Sequence, residues 1–144
     1  MIGRALRSAL SADGIEVTAT GRRALTDDES SLRLDLEIHP GEFEIPEGVD
    51  LAYLCAGVTA LSACQTDPEG TARVNVEHTL LLAHKLMAAG IPVVYVSTNL
   101  VFDGSAPFVA ADAGYAPQCE YGRQKMLVEQ GLLEHGGMAT VLRI

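Results

Sequence analysis

Positive charge is scarce in this chain, and lysine scarcest of all: only Lys85 and Lys125 occur, beside eight arginines. Against 19 acidic residues the net charge is −9 at pH 7. So acidic a surface argues against general nucleic-acid binding and against adhesion to an anionic membrane, since both need basic surface. It leaves room for an anionic ligand, because a few backbone amides and arginines can make a local positive site. Cysteine is sparse too. Cys55, Cys64 and Cys119 form no CxxC and, being three, cannot all pair, so a reduced, cytoplasmic setting is expected. The four histidines (His39, His78, His84, His135) show no HExxH and no cysteine partner at ligand spacing, so no metal site is expected. No apolar run reaches the length of a membrane span, and the first residues lack the pattern of a signal peptide.

What is present describes a globular domain. Hydrophobic residues make up 48% of 144, enough for one domain with a real core. Strand and helix signals then alternate along it. Ile2, Ala5, Leu6, Ala9 and Leu10 form a helical stripe that Asp13-Gly14 should stop. "IEVTAT" (Ile15 to Thr20) alternates with period two and reads as a strand, and Ser31 to Leu36 suits a second. "VDLAYLCAG" is apolar throughout, as in a strand buried on both faces. The longest helical pattern runs from about Asp67 to Ala89, with Gly90 as its stop. "IPVVYVS" is a buried strand, Glu120 to about Glu134 a helix, and "MATVLRI" a last strand.

Strands separated by helices imply parallel pairing and an α/β sheet. Ligands of such sheets sit at the carboxyl ends of the strands. Gly21-Arg22-Arg23, Ala56-Gly57 and Ser97-Thr98 all fall at such ends.

In "EYGRQK" a tyrosine precedes a lysine by one helical turn, which puts Tyr121 and Lys125 on one face. A phenol titrates near pH 10, and a neighbouring ammonium lowers that value toward a workable acid or base. The same spacing also fits a solvated helix turn. What favours chemistry is the order: a strand ending in Ser97-Thr98, a loop, then Pro117 and Tyr121-Gly-x-x-Lys125. A hydroxyl at the strand end can donate to a carbonyl oxygen that Tyr121 protonates.

With those residues in view the chain resembles the extended short-chain dehydrogenase/reductases, in their dTDP-4-dehydrorhamnose reductase-like, sugar-nucleotide-binding branch. "VSTNLVFDG" resembles that branch's Ser-Thr-Asp-Tyr-Val-Phe-Asp-Gly segment, "EYGRQKMLVE" its Tyr-Gly-x-x-Lys helix, and "CAGVTALSACQTDPEGTARVNV" its Ala-rich strand end and following helix with Asn75-Val76. The resemblance implies a Rossmann-type, doubly wound parallel sheet, with residues 1–144 a partial NAD(P)-binding domain. It implies a nicotinamide cofactor and a nucleotide-sugar or other small carbonyl substrate, and leaves a homodimer open. Carried over by position, Tyr121 is the acid/base, Lys125 its partner and a ribose ligand, and Thr98 orients the carbonyl with Ser97 beside it. Gly3, Ala56 and Gly57 would lie along the cofactor, and Asp35-Leu36 would approach the adenine.

Arg22 and Arg23 at the second strand end suit a 2′-phosphate, which makes NADP the expected cofactor with NAD as the alternative. The family's first strand, central in the sheet, and its first two glycines would precede Met1, and its C-terminal substrate region would follow Ile144. The segment alone is therefore expected to be inactive. Asn99-Leu100 and the Ser62 and Gln65 region depart from the reductases, so a rhamnose-pathway substrate is less firmly implied than the family. A non-catalytic nucleotide-binding subunit of the same fold, like the regulatory subunit of methionine adenosyltransferase, is the alternative function.

Overall fold

Among the described residues the strands form two parallel sheets rather than one. In a computed structural model describing residues 2–22, 31–134 and 136–144, β1 (Ala19–Gly21) pairs with β2 (Ser31–Arg33), and β4 (Val93–Ser97) lies between β3 (Ala52–Leu54) and β5 (Ala139–Arg143). Each pairing is parallel. Among the described residues no ladder joins the two sheets. The break falls where the resemblance places the family's first, central strand.

Helix α1 (Ile2–Ala12) follows its apolar stripe and closes at Gly14, which takes φ 78° while the Ile15 amide donates back to the Leu10 carbonyl. None of its residues is buried. The strand expected over Ile15 to Thr20 shrinks to Ala19–Gly21, because only these residues find β2 as a partner.

The pattern from about Asp67 to Ala89 becomes one continuous helical rod. Asp67 caps it by accepting from the Gly70 amide, and Pro68 needs no amide partner in the first turn. The rod runs as α3 (Pro68–Ala72), a π-helical stretch (Arg73–His78) and α4 (Thr79–Ala88). A short helix, α2 (Leu61–Thr66), precedes it, and α5 (Glu120–Leu133) follows β4.

Helices α4 and α5 cover the face of β4 that carries Val93 and Tyr95. Leu82 and Leu86 pack with Val93, Ile91 and Leu36, while Ala83, Val128 and Leu132 enclose Tyr95. β3 corrects the expectation of burial on both faces. Ala52 and Leu54 turn into this core, whereas Tyr53 between them is exposed, since a strand's successive side chains point to opposite faces. No described helix is long and apolar enough to cross a membrane.

Candidate active site

The site is assembled where α5 begins. Cys119 caps the helix, its thiol sulfur accepting from the Gly122 amide at 3.4 Å. Glu120 grips Arg123 through two bonds of 2.7 Å, one turn on. Gly122 lets this first turn sit directly on the 3-10 turn Asn99–Val101 that follows β4: a Cβ there would collide with the Leu100 carbonyl oxygen. Close packing of backbone on backbone thus carries Tyr121 to the strand end where Thr98 stands.

Thr98 is nearly buried, and its Oγ1 accepts from the Leu100 amide at 3.3 Å. A hydroxyl that is accepting from the backbone keeps its own proton to donate. That is the arrangement a carbonyl-orienting group needs.

Lys125 is buried to 5% exposure. Its Nζ donates to the Val96 carbonyl at 2.9 Å and lies 4.4 Å from the Tyr95 ring centre and 5.7 Å from that of Tyr121. Burial pushes this lysine down to about 8. Tyr121 does not follow the expectation of a lowered phenol. Its pKa is raised, first by burial and then by the neighbouring Cys64 and Cys119 thiols. The ammonium is directed at the Val96 carbonyl, and at this separation it does not offset the loss of solvation. The phenol therefore keeps its proton, which is the form a proton donor requires.

Lys125 also carries a stability prediction. Between about 8 and the ordinary lysine value of 10.5 the unfolded chain holds this proton and the folded chain does not. Stability from this group therefore rises with pH across that window, and the burial cost is present in full below it. Urea unfolding at about pH 7 and about pH 10 should show this rise in the parent and not in Lys125→Met.

The end of β3 is held from behind. Asn75 Oδ1 accepts from the Val58 amide at 2.7 Å, and its Nδ2 donates to the Val58 carbonyl at 2.9 Å and to Gln124 Oε1 at 2.8 Å. Gln124 in turn donates to Thr71 Oγ1 at 3.0 Å. Ala56 and Gly57 are left exposed in front, and a Cβ on Gly57 would lie 2.9 Å from Asn75 Oδ1. Gly3, in the first turn of α1, packs against the side of Cys55, at 3.6 Å from an added Cβ to the cysteine Cβ. The Cys55 thiol is raised by burial, and the Lys125 charge works against that rise. Gly3, the Ala56-Gly57 strand end and Lys125 therefore share one neighbourhood.

At the second strand end Arg22 is exposed and meets Glu37 at 3.3 Å. So solvated a pair contributes little and is readily exchanged for another anion. Arg23 lies outside the described residues. Asp35 sits on the rim, its Oδ1 accepting from the Glu37 amide at 3.0 Å.

Two of the named side chains turn away from the strand ends. Leu36 is a core residue packed with Leu82, Leu86 and Val93, because the chain turns inward after β2, and its side chain is not open to a ligand. Ser97 is buried with its hydroxyl donated to Glu129, so that hydroxyl faces away from the ligand edge that Thr98 serves. Asn75, Gln124 and Glu129 escaped the residue reading as site-supporting groups. Asn75 stood in the sequence only as part of the Asn75-Val76 pair of the resemblance, and Glu129 as an acid four residues beyond Lys125, beside Val128 on the buried side of α5.

Parallel strands under covering helices, with the Thr98 hydroxyl and a Tyr/Lys helix at one strand end, make up a Rossmann-type fold. The family described as RmlD substrate binding domain matches residues 1–144, and the chain belongs to that family. A probable dTDP-4,6-dihydroxy-2-methyloxan-3-one 4-ketoreductase of Streptomyces antibioticus is 35% identical over 148 residues, covering 99% of this chain and 47% of that protein. Methionine adenosyltransferase 2 subunit beta of Pongo abelii is 32% identical over 90 residues, covering 62% of this chain and 27% of that protein. The chain thus spans half or less of the length of these relatives. Among solved structures, MoeE5 in complex with UDP-glucose and NAD matches with a TM-score of 0.80 at 24% identity, over 99% of this chain and 49% of that one. That likeness establishes the fold.

Proposed function

We propose that residues 1–144 are the cofactor-binding part of an NADP-preferring reductase acting on the carbonyl of a nucleotide sugar or similar small substrate. The observation that carries this reading is the contact of the Tyr121-Gly122 turn of α5 with the turn beyond Thr98. The residues present fit a nicotinamide dinucleotide along much of its length. Lys125 and Tyr121 suit the nicotinamide ribose, the exposed Ala56-Gly57 backbone lets a ligand approach closely, and Arg22 suits a 2′-phosphate. Gly3 is what the chain offers of the glycine turn around the pyrophosphate.

The nicotinamide, when bound, supplies a hydride to the carbonyl carbon. Thr98 donates its hydroxyl proton in a hydrogen bond to the carbonyl oxygen, drawing charge onto it as the bond is reduced. Tyr121 transfers its phenolic proton to that oxygen, giving the alcohol. Lys125 as ammonium stabilises the phenolate left behind. Self-association as a homodimer belongs to the same reading, and the acidic surface weighs against nucleic acid or membrane as partner.

The test uses the chain extended at both ends with the corresponding segments of a relative. NADPH and NADH are titrated, and cofactor oxidation is followed with nucleotide keto-sugars. NADPH should bind about tenfold or more tightly than NADH, and Arg22→Ala should remove most of that preference, as loss of one charge-assisted phosphate contact implies. A second reading, a non-catalytic nucleotide-binding subunit, is favoured by the similarity to methionine adenosyltransferase 2 subunit beta. Nucleotide binding without hydride transfer across a broad carbonyl panel would establish it instead.

A further inference from the structure

Glu129 is fully buried at 0% exposure, two turns along α5 from Tyr121. A carboxylate in such a place is costly unless its charge is paired and its oxygens hydrogen-bonded. Here both conditions are met by side chains from three other parts of the fold. Arg143, at the end of β5, reaches Oε2 with Nη2 at 2.6 Å and Nε at 2.9 Å. Tyr115 donates its hydroxyl to Oε2 at 3.1 Å. Ser97, at the end of β4, donates to Oε1.

The segment between β4 and α5 is the part most affected. It departs just after Thr98 and rejoins the fold just before Tyr121, so it joins the two proposed reacting groups. Its base is closed by the Ala116 amide donating to the Val101 carbonyl at 2.9 Å. The Arg143 guanidinium stands 4.9 Å from the Phe102 ring and 5.4 Å from the Tyr115 ring, and its Nη1 donates to the Ala111 carbonyl at 2.7 Å. Beyond that grip the segment is open: Phe108 is fully exposed and adopts φ 53°, a conformation rare for a bulky residue. The foot is held and the tip is free.

We propose that the Glu129–Arg143 pair is a positioning device for the reduction, holding the 102–118 segment and the end of β4 so that Thr98 and Tyr121 keep their working separation. The inference rests on the reductase reading above. Lys125 and Glu129, on successive turns of α5, bond to Val96 and Ser97, neighbours on β4. The helix that carries Tyr121 is thereby registered against the strand that carries Thr98, and misplacement of about 1 Å at such a site costs on the order of a hundredfold in rate.

Glu129→Gln keeps the shape and removes the charge; Tyr115→Phe keeps the ring beside Arg143 and removes one donor. In the 144-residue chain, Glu129→Gln should speed hydrogen exchange of the amides over 109–116 by about tenfold or more, with α4 unchanged. In the extended chain, kcat per folded molecule should fall about tenfold or more for Glu129→Gln and a few-fold for Tyr115→Phe, with cofactor affinity unaltered. Should Glu129→Gln fail to fold, Tyr115→Phe decides alone. Faster exchange with native kcat in the folded variants would show a purely structural pair and overturn the proposal. Tyr121→Phe separates the two ideas: full turnover there sinks the reductase reading itself, whereas an inactive Tyr121→Phe beside fully active Glu129→Gln and Tyr115→Phe sinks only the positioning role of the pair.

Discussion

Tyr121→Phe, in the chain extended to the length of its relatives, is expected to lower carbonyl reduction by roughly 10²–10⁴-fold, the usual contribution of a positioned proton donor. Cofactor affinity should stay within about a factor of three, since the ring keeps its packing and one neutral hydrogen bond is lost. The raised phenol makes the direction of the pH dependence specific. Tyr121 holds its proton through the neutral range, so the donor is not what fails first as pH rises. Lys125, brought down to about 8, is. Reduction should therefore be level below that value and decline as the ammonium is lost above it, a limb that Lys125→Met should not show. A Tyr121→Phe variant with native kcat would remove this chemistry altogether.

Gly122→Ala should be strongly damaging for so small a substitution. Alanine improves helix propensity by about 1 kcal/mol, and that is the only gain. Against it, the new Cβ meets the Leu100 carbonyl oxygen, with Leu100 C at 3.0 Å and Pro117 Cβ at 3.3 Å. Neither is the loose end of a side chain, so the helix must retreat from the 3-10 turn. Overpacking of this kind costs about 1–3 kcal/mol or more, and it outweighs the propensity term. Because the retreat opens the gap between Tyr121 and Thr98, turnover should fall by about a hundredfold even where the fold survives. Gly131→Ala in the same helix is the control. There the contacts are Leu80 methyl groups at 2.9 and 3.1 Å, which can rotate away, and little change is expected in urea unfolding.

Local features account for what could be read from the residues. Gly14 and Gly90 end their helices with positive φ, and Asp67-Pro68 starts the long rod, because caps and stops act within a few residues. Tyr121 and Lys125 share a face because helical spacing alone decides that. Long-range partners were not readable. Ser97 and Glu129 are 32 residues apart, Asn75 and Gln124 are 49 apart, and nothing near any one of them announces the other. The resemblance placed Leu36 beside the adenine, but where its side chain points depends on α4, far along the chain. The sign of the Tyr121 shift failed for a related reason. Spacing reports that a lysine is near, while burial and the direction of the ammonium decide which effect wins.

The division of the described strands into two sheets bears on cooperativity. α1, β1 and β2 share no backbone ladder with the three-stranded sheet, and α1 buries none of its residues. The other part has Val93, Tyr95, Val128 and Leu132 nearly sealed from solvent. Few buried contacts mean a low free energy of local opening. Amide exchange should therefore be faster over α1, β1 and β2 than over β4 and α5, while the chain from Leu36 onward, packed on Leu82 and Leu86, is protected with the three-stranded part. Under the reading proposed above, a dinucleotide touching both parts would slow exchange in the first.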